Sequence, residues 1–121
     1  MILADTSVWI DHLRAGDRDL AALLTATRIM MHPFVLGEMA CGNLENRAEV
    51  LKLLADLPEL TIATDPETLY FIERQALMGQ GIGYIDAHLL AAVSLSPHTR
   101  LWTRDKRLEK VAIGLNLGYK P

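Results

Sequence analysis

The chain has 121 residues, 15 acidic and 12 basic, for a formal net charge of −3. Half are hydrophobic and 22% are charged, which excludes a disordered or fibrous chain and fits a single domain over 1–121 with one sizeable core. Cys41 is the sole cysteine and cannot form an intrachain disulfide; the longest later apolar run, Leu89 to Val93, is too short to cross a bilayer.

The opening "MILADTSVWIDHL" places three apolar residues before Asp5, too few for a signal peptide, so a cytoplasmic protein is expected. Residues 1–5 read as a short buried strand and Val8 to Leu13 as the helix after it. Asp19 to Ala26 continues helically, with Leu20, Leu23 and Leu24 at helical spacing. Arg28 to His32 is a second apolar run, and Pro33 opens a helix that reaches Cys41 and stops at Gly42-Asn43. Arg47 to Leu57 carries an amphipathic stripe ended by Pro58, and Leu60 to Ala63 is a third strand candidate. "TDPETLYFIERQAL" begins with Asp65 as cap and Pro66 at the first helical position, and Gly79 and Gly81 close it. "DAHLLAAVSL" is apolar nearly all round and reads as a buried helix. Arg100 to Thr103 is the last clear strand; a charged helix follows from Lys106, and residues 114–119 add a candidate edge strand. Strands alternating with helices predict an α/β fold with a parallel sheet covered on both faces.

Charge is unevenly spread. Residues 1–96 hold six Lys and Arg against thirteen Asp and Glu, a balance of −7, whereas residues 97–121 hold six against two, a balance of +4. Arg100, Arg104, Lys106 and Arg107 are therefore candidate contacts to a nucleic-acid backbone, with a solvated helix face as the plain alternative.

Four acids occupy expensive places. Asp5 ends the first strand, and Asp105 stands just after the last, where open α/β sheets bind ligands. Glu38 shares a helix face with Val35, Cys41 and Gly42, and Asp86 shares one with Leu89, Leu90 and Val93. Carboxylates on core-facing stripes need a partner. Asp86 and Asp105 also fit helix N-caps, and Asp5 could cap the helix near Val8, although Thr6 and Ser7 compete for that role. Taken together, four acids without a basic partner point to a hard cation, Mg²⁺ or Mn²⁺. His12, His32, His88 and His98 are scattered and give no zinc pattern, and "GQGIG" at 79–83 reads as a turn rather than a phosphate loop. Trp9, Met30 and Met31 read as core, with a partner surface as the other reading for Trp9.

With those residues in view, the chain resembles PIN domains, and among them the VapC-type toxin ribonucleases of bacterial toxin–antitoxin pairs. "DTSVWIDHL" at 5–13, "LGEMACG" at 36–42, "DAHLLAA" at 86–92 and "LWTRDKRL" at 101–108 carry the resemblance in family order. It implies a PIN-like three-layer sandwich, a short central mostly parallel sheet between helices. It also implies a Mg²⁺-dependent endoribonuclease with Asp5 and Asp86 as principal metal ligands, and Glu38 and Asp105 direct or through water. Thr6 and Thr103 match hydroxyl positions that support the acids. A cognate antitoxin, a homodimer, and products ending in 5′-phosphate and 3′-hydroxyl complete the implication. Trp9 and Leu13, on the first helix, are the residues expected to contribute to a partner groove. Two rivals remain: a non-catalytic RNA- or partner-binding module of the same fold, and a phospho-acceptor receiver domain. The second fits less well, because Asp5 has no adjacent acid.

Overall fold

A computed structural model describes residues 1–121. Ile2–Ala4 form β1, all three buried; because successive strand side chains point to opposite faces, both faces of this strand are covered. β1 is the central strand, paired with β2 (Ile29–Met30) on one side and with β3 (Arg100–Trp102) on the other, both parallel, in the order β2-β1-β3. Leu3 lies beside Met30 and Leu101, and Ala4 beside Trp102. The fold is α/β, with three paired strands and seven helices; all the ladder pairing is parallel.

The helices begin where local chemistry lets them. α1 (Thr6–Ala15) starts two residues earlier than the apolar spacing suggests, and its cap is Asp5 itself rather than Thr6 or Ser7. Gly16, at φ +75°, breaks the chain before α2 (Arg18–Thr25), capped by Asp17. α3 (Pro33–Ala40) has Pro33 at its start and the His32 ring as cap: Nδ1 accepts from the Phe34 amide at 2.9 Å. α4 (Arg47–Ala55) packs against α3. α5 (Asp65–Gln75) is capped by Thr64, not Asp65, in a reciprocal box with Glu67. It ends at Ala76 in the left-handed region, before Gly79 and Gly81 are reached. α6 (Tyr84–Leu95) is buried from Ala87 through Val93, as its all-round apolar sequence requires. α7 (Lys106–Gly114) is capped by Asp105.

Two strand expectations fail. Leu60 to Ala63 is not a strand: after a single bridge from Met31 to Glu59, the Thr61 amide turns to the Ser96 hydroxyl at 3.0 Å and leaves the ladder. Residues 114–119 make only one bridge, Leu101 to Gly118, because α7 runs on to Gly114 and the Leu117 amide bonds back to the Ala112 carbonyl. Trp9 is core, 3% exposed, so it offers nothing to a partner surface; Ile10 and Leu13, both about two-fifths exposed, are the apolar residues α1 presents. No helix is long and apolar enough to cross a membrane.

Candidate active site

The chain leaves β1 toward β2 on one side and later returns to β3 on the other; β1 and β3 stay paired up to the Asp5 amide, which donates to the Trp102 carbonyl at 3.0 Å, and the crevice lies beyond their carboxyl ends. Such a reversal of strand order is where α/β sheets hold ligands. Asp5 follows β1 directly and Asp105 stands three residues past the end of β3. α6, packed on β3, brings Asp86, and α3, packed on α1, brings Glu38. Asp86 feels the charges of all three other carboxylates, so the four acids from distant segments share one electrostatic neighbourhood.

Each acid is held by one oxygen. Asp5 is almost buried, and its Oδ1 accepts from the Ser7 amide at 3.0 Å, the Val8 amide at 3.4 Å and the Ser7 hydroxyl. Asp105 Oδ1 accepts from the amides of Arg107 and Leu108 at 2.9 and 3.0 Å. Asp86, half-buried at the third position of α6, accepts from the Gly83 amide at 3.3 Å through Oδ2. Glu38 Oε1 accepts from the Thr6 hydroxyl at 3.1 Å. Asp5 Oδ2, Glu38 Oε2, Asp86 Oδ1 and Asp105 Oδ2 have no protein donor. No Lys or Arg forms an ion pair with any of the four.

Concentrated negative charge is costly, and the fold offsets part of it. Asp5 and Asp105 cap helices and Asp86 lies in a first turn, so three helix N-termini direct their partial positive charge at this point. Asp86 still has its carboxyl pKa raised. Burial is the main cause, opposed by the Gly83 N–H and reinforced by Asp105, Asp5 and Glu38 in that order. Like charges in a poorly solvated place favour the protonated form.

The sequence reading of Asp86 and Asp105 as caps thus holds for Asp105, while Asp86 stands two residues inside its helix and reaches back to its start. Glu38 needs a larger correction. Val35 is buried, but Glu38, Cys41 and Gly42 are exposed, so this acid opens to solvent and does not interrupt a core stripe. α3 turns only its Val35–Met39 side inward, leaving Glu38 to be fixed by Thr6.

Thr6 therefore touches a cluster acid directly. Thr103, 3% exposed, acts one step removed: its hydroxyl accepts from the Asp105 amide at 3.1 Å and shapes the turn. Ser7 was not singled out as part of this cluster. Its hydroxyl donates to Asp5 and accepts from the Arg104 amide at 3.0 Å, tying the ends of β1 and β3 together across the crevice. The signal available was the run of two hydroxyls behind Asp5.

The basic candidates divide. Arg100 donates to the carbonyls of Asn116 and Gly118, at 3.3 and 3.2 Å. Arg104 pairs with Asp11 at 2.9 Å and with Asp17, and its guanidinium lies 5.7 Å from the centre of the Trp102 ring. Both are engaged internally. Lys106 and Arg107 are exposed and their side chains make no ion pair.

No group of three or more Asp, Glu, His or Cys side chains stands at ligand distance around one point. Mg²⁺ does not require that: it takes one or two carboxylates and keeps several waters. Four carboxylates without a cationic partner, each with one oxygen that has no protein donor, fit a hydrated hard cation.

The PIN-domain family model matches residues 2–114. The chain belongs to the PIN-domain family. Its acids are thus contributed by the two sheet ends and two helices of a PIN domain. The chain is also similar to the protein named Ribonuclease VapC32 of Mycobacterium tuberculosis, in strains CDC 1551 / Oshkosh and ATCC 25618 / H37Rv. In each case 49% of 109 residues are identical, covering 90% of this chain and 88% of the relative.

Proposed function

We propose that this PIN domain, a single domain over 1–121, is a VapC-type toxin: an endoribonuclease that hydrolyses RNA phosphodiester bonds with Mg²⁺, or Mn²⁺, held by Asp5, Glu38, Asp86 and Asp105. The observation that carries the reading is the pattern of oxygens. Four carboxylates from four segments each give one oxygen to the scaffold and leave the other free, with no cationic side chain to neutralise it. The similarity to a protein named a ribonuclease supports the choice of RNA.

Asp5 and Asp86 are the principal ligands in this reading, because they are the least exposed of the four. A divalent cation bound there supplies charge neutralisation at the scissile phosphate and a more acidic attacking water. The chain's own contribution is orientation. The Ser7 and Val8 amides hold Asp5 in one rotamer, and the Thr6 hydroxyl fixes one oxygen of the exposed Glu38. Partial burial of Asp86 keeps water from part of its surroundings, which strengthens every charge interaction made there. Products ending in 5′-phosphate and 3′-hydroxyl follow from attack of water on phosphorus with departure of the 3′-oxygen.

A cognate antitoxin and a homodimer belong to the same reading, as does a cytoplasmic location. The exposed Ile10 and Leu13 border a groove with Leu44 and Val50 that suits an apolar partner segment. The reading is tested by following labelled RNA with Mg²⁺, with EDTA, and with the Asp86→Asn chain. Cleavage with Mg²⁺ alone is expected; equal cleavage in EDTA, or by Asp86→Asn, refutes it.

A further inference from the structure

A second feature adjoins the carboxylates. Between the loop after α5 and the outer side of α7 lies an open cleft of about 750 Å³. Leu77, Val111 and Leu115 contribute its apolar lining, and Gly81, Arg107 and Lys110 are among its other residues. Arg107 and Lys110 are one helical turn apart on α7, and neither side chain makes a hydrogen bond or an ion pair. Glu109, the acid between them, is engaged with Lys120 at 3.9 Å. In a chain of net charge −3, these are two cations held together without a counter-charge.

The glycine-rich stretch is what allows this wall to exist. Gly79 and Gly81 have φ of +73° and +80°, where a side chain would strain the backbone. A Cβ on Gly81 would also stand 2.9 Å from Arg107 Cδ. The loop therefore lies directly against the guanidinium stem. Both walls start at a cluster acid. Arg107 donates its own amide to Asp105, and Gly83, two residues beyond Gly81, donates to Asp86.

We infer that this cleft holds the phosphate backbone of the RNA strand next to the bond being cut, with Arg107 and Lys110 as the phosphate contacts and Gly81 leaving the room that the Arg107 side chain takes against the loop. The inference rests on the ribonuclease reading above. It assigns Arg107 and Lys110 to strand positioning, separate from the carboxylates that act on the scissile phosphate. α7 rises about 1.5 Å per residue, so Lys110 stands about 7.5 Å along the axis from the Asp105 cap. The phosphate it holds is therefore not the one at the carboxylates. An acidic protein segment is the less suitable occupant, since a chain continuing toward the crevice would meet four carboxylates, whereas a polynucleotide arrives there with a cation.

The test uses single-stranded, fluorescein-labelled RNA of mixed sequence. Binding is measured by anisotropy against salt in Mg²⁺, in an Asp86→Asn chain that leaves the RNA intact; cleavage kinetics are measured in the chain with Asp86 restored. Arg107→Gln with Lys110→Gln should make the salt slope shallower by about 1.4 and weaken binding about 25-fold at 0.1 M salt. KM should rise by a like factor while kcat is unchanged. Gly81→Ala should weaken binding with every charge in place. Lys52→Gln, a cation removed from α4, should change neither slope nor KM. If the chain binds and cuts RNA but the double substitution alters neither slope nor KM, the cleft assignment is wrong and the ribonuclease reading stands. A chain that neither binds nor cuts RNA overturns both. Polyglutamate binding lost in the double variant, with RNA binding intact, reassigns the cleft to an acidic protein partner.

Discussion

Replacing Asp86 by Asn separates a carboxylate retained for metal from one retained for the helix. The side chain stands in the first turn of α6, and its contact with the fold is one bond from the Gly83 amide, at 3.3 Å. Asparagine keeps an oxygen for that bond. It forfeits the favourable interaction of a charge with the helix N-terminus, about 0.3–1 kcal/mol. Against this, it removes a charge that burial and three neighbouring carboxylates disfavour. A carboxyl whose folded pKa is raised destabilises once ionised, and stability falls as pH rises from 3.8 through the folded value. In EDTA at neutral pH, Asp86→Asn should therefore melt no lower than the wild-type chain, and that decline with pH should be missing. Mg²⁺ at ten times its Kd stabilises the wild-type protein by about 1.4 kcal/mol. For a chain of this size that raises Tm by roughly 5 °C. The variant should gain less than half as much. Calorimetry with EDTA and then with increasing Mg²⁺ measures all three quantities. Were the variant to melt well below wild type in EDTA, yet respond fully to Mg²⁺, Asp86 would be a helix residue and the cation assignment would fail.

Other outcomes follow from single contacts. His32 is fully buried, its Nδ1 caps α3, and burial with the nearby His88 lowers its pKa to about 4. The neutral ring is the folded form, so stability should fall by up to about 3 kcal/mol as pH drops from 6.5 through 4. His32→Asn keeps a cap and should flatten that part of a pH–denaturation series; an unchanged slope would exclude His32 as its source. Ser7→Ala removes the hydroxyl shared by Asp5 and the Arg104 amide. It should cost about 1 kcal/mol in urea unfolding and lower kcat more than it raises KM, and an undiminished kcat would exclude a role in holding Asp5. Arg104→Gln should cost about 1 kcal/mol or less and leave the salt dependence of RNA binding as it was, because Asp11 and Asp17 already take its charge; a shallower slope would place Arg104 on the RNA.

Much of the architecture is local and was legible in the chain. The α6 sequence is apolar on every side, so it had to be buried, and Pro33 marked a helix start within one residue. The parallel sheet followed from strands alternating with helices. The four acids were visible as carboxylates at strand ends and on helix faces, and the family motifs named the same four positions. Strand existence at the margins was not legible. Leu60 to Ala63 has strand composition, but whether it pairs depends on a free ladder edge, and the Ser96 hydroxyl takes its amide instead. The edge at 114–119 failed for a similar reason, since the length of α7 is set by packing of Leu108, Val111 and Ala112.

The finer account of the site belongs to tertiary structure. Residue type says that Glu38 is ionisable, but only the packing of α3 decides that it faces solvent and is caught by Thr6, 32 residues away in the chain. Four basic residues near the C-terminal end look equivalent in sequence. Folding gives Arg104 to Asp11 and Asp17 and Arg100 to backbone carbonyls, and leaves Arg107 beside Lys110 against Gly81. Hydrophobic periodicity is carried by neighbouring residues and survives in any window of the chain. Which charge meets which is decided between segments tens of residues apart, by the directions in which the sheet and its helices release them.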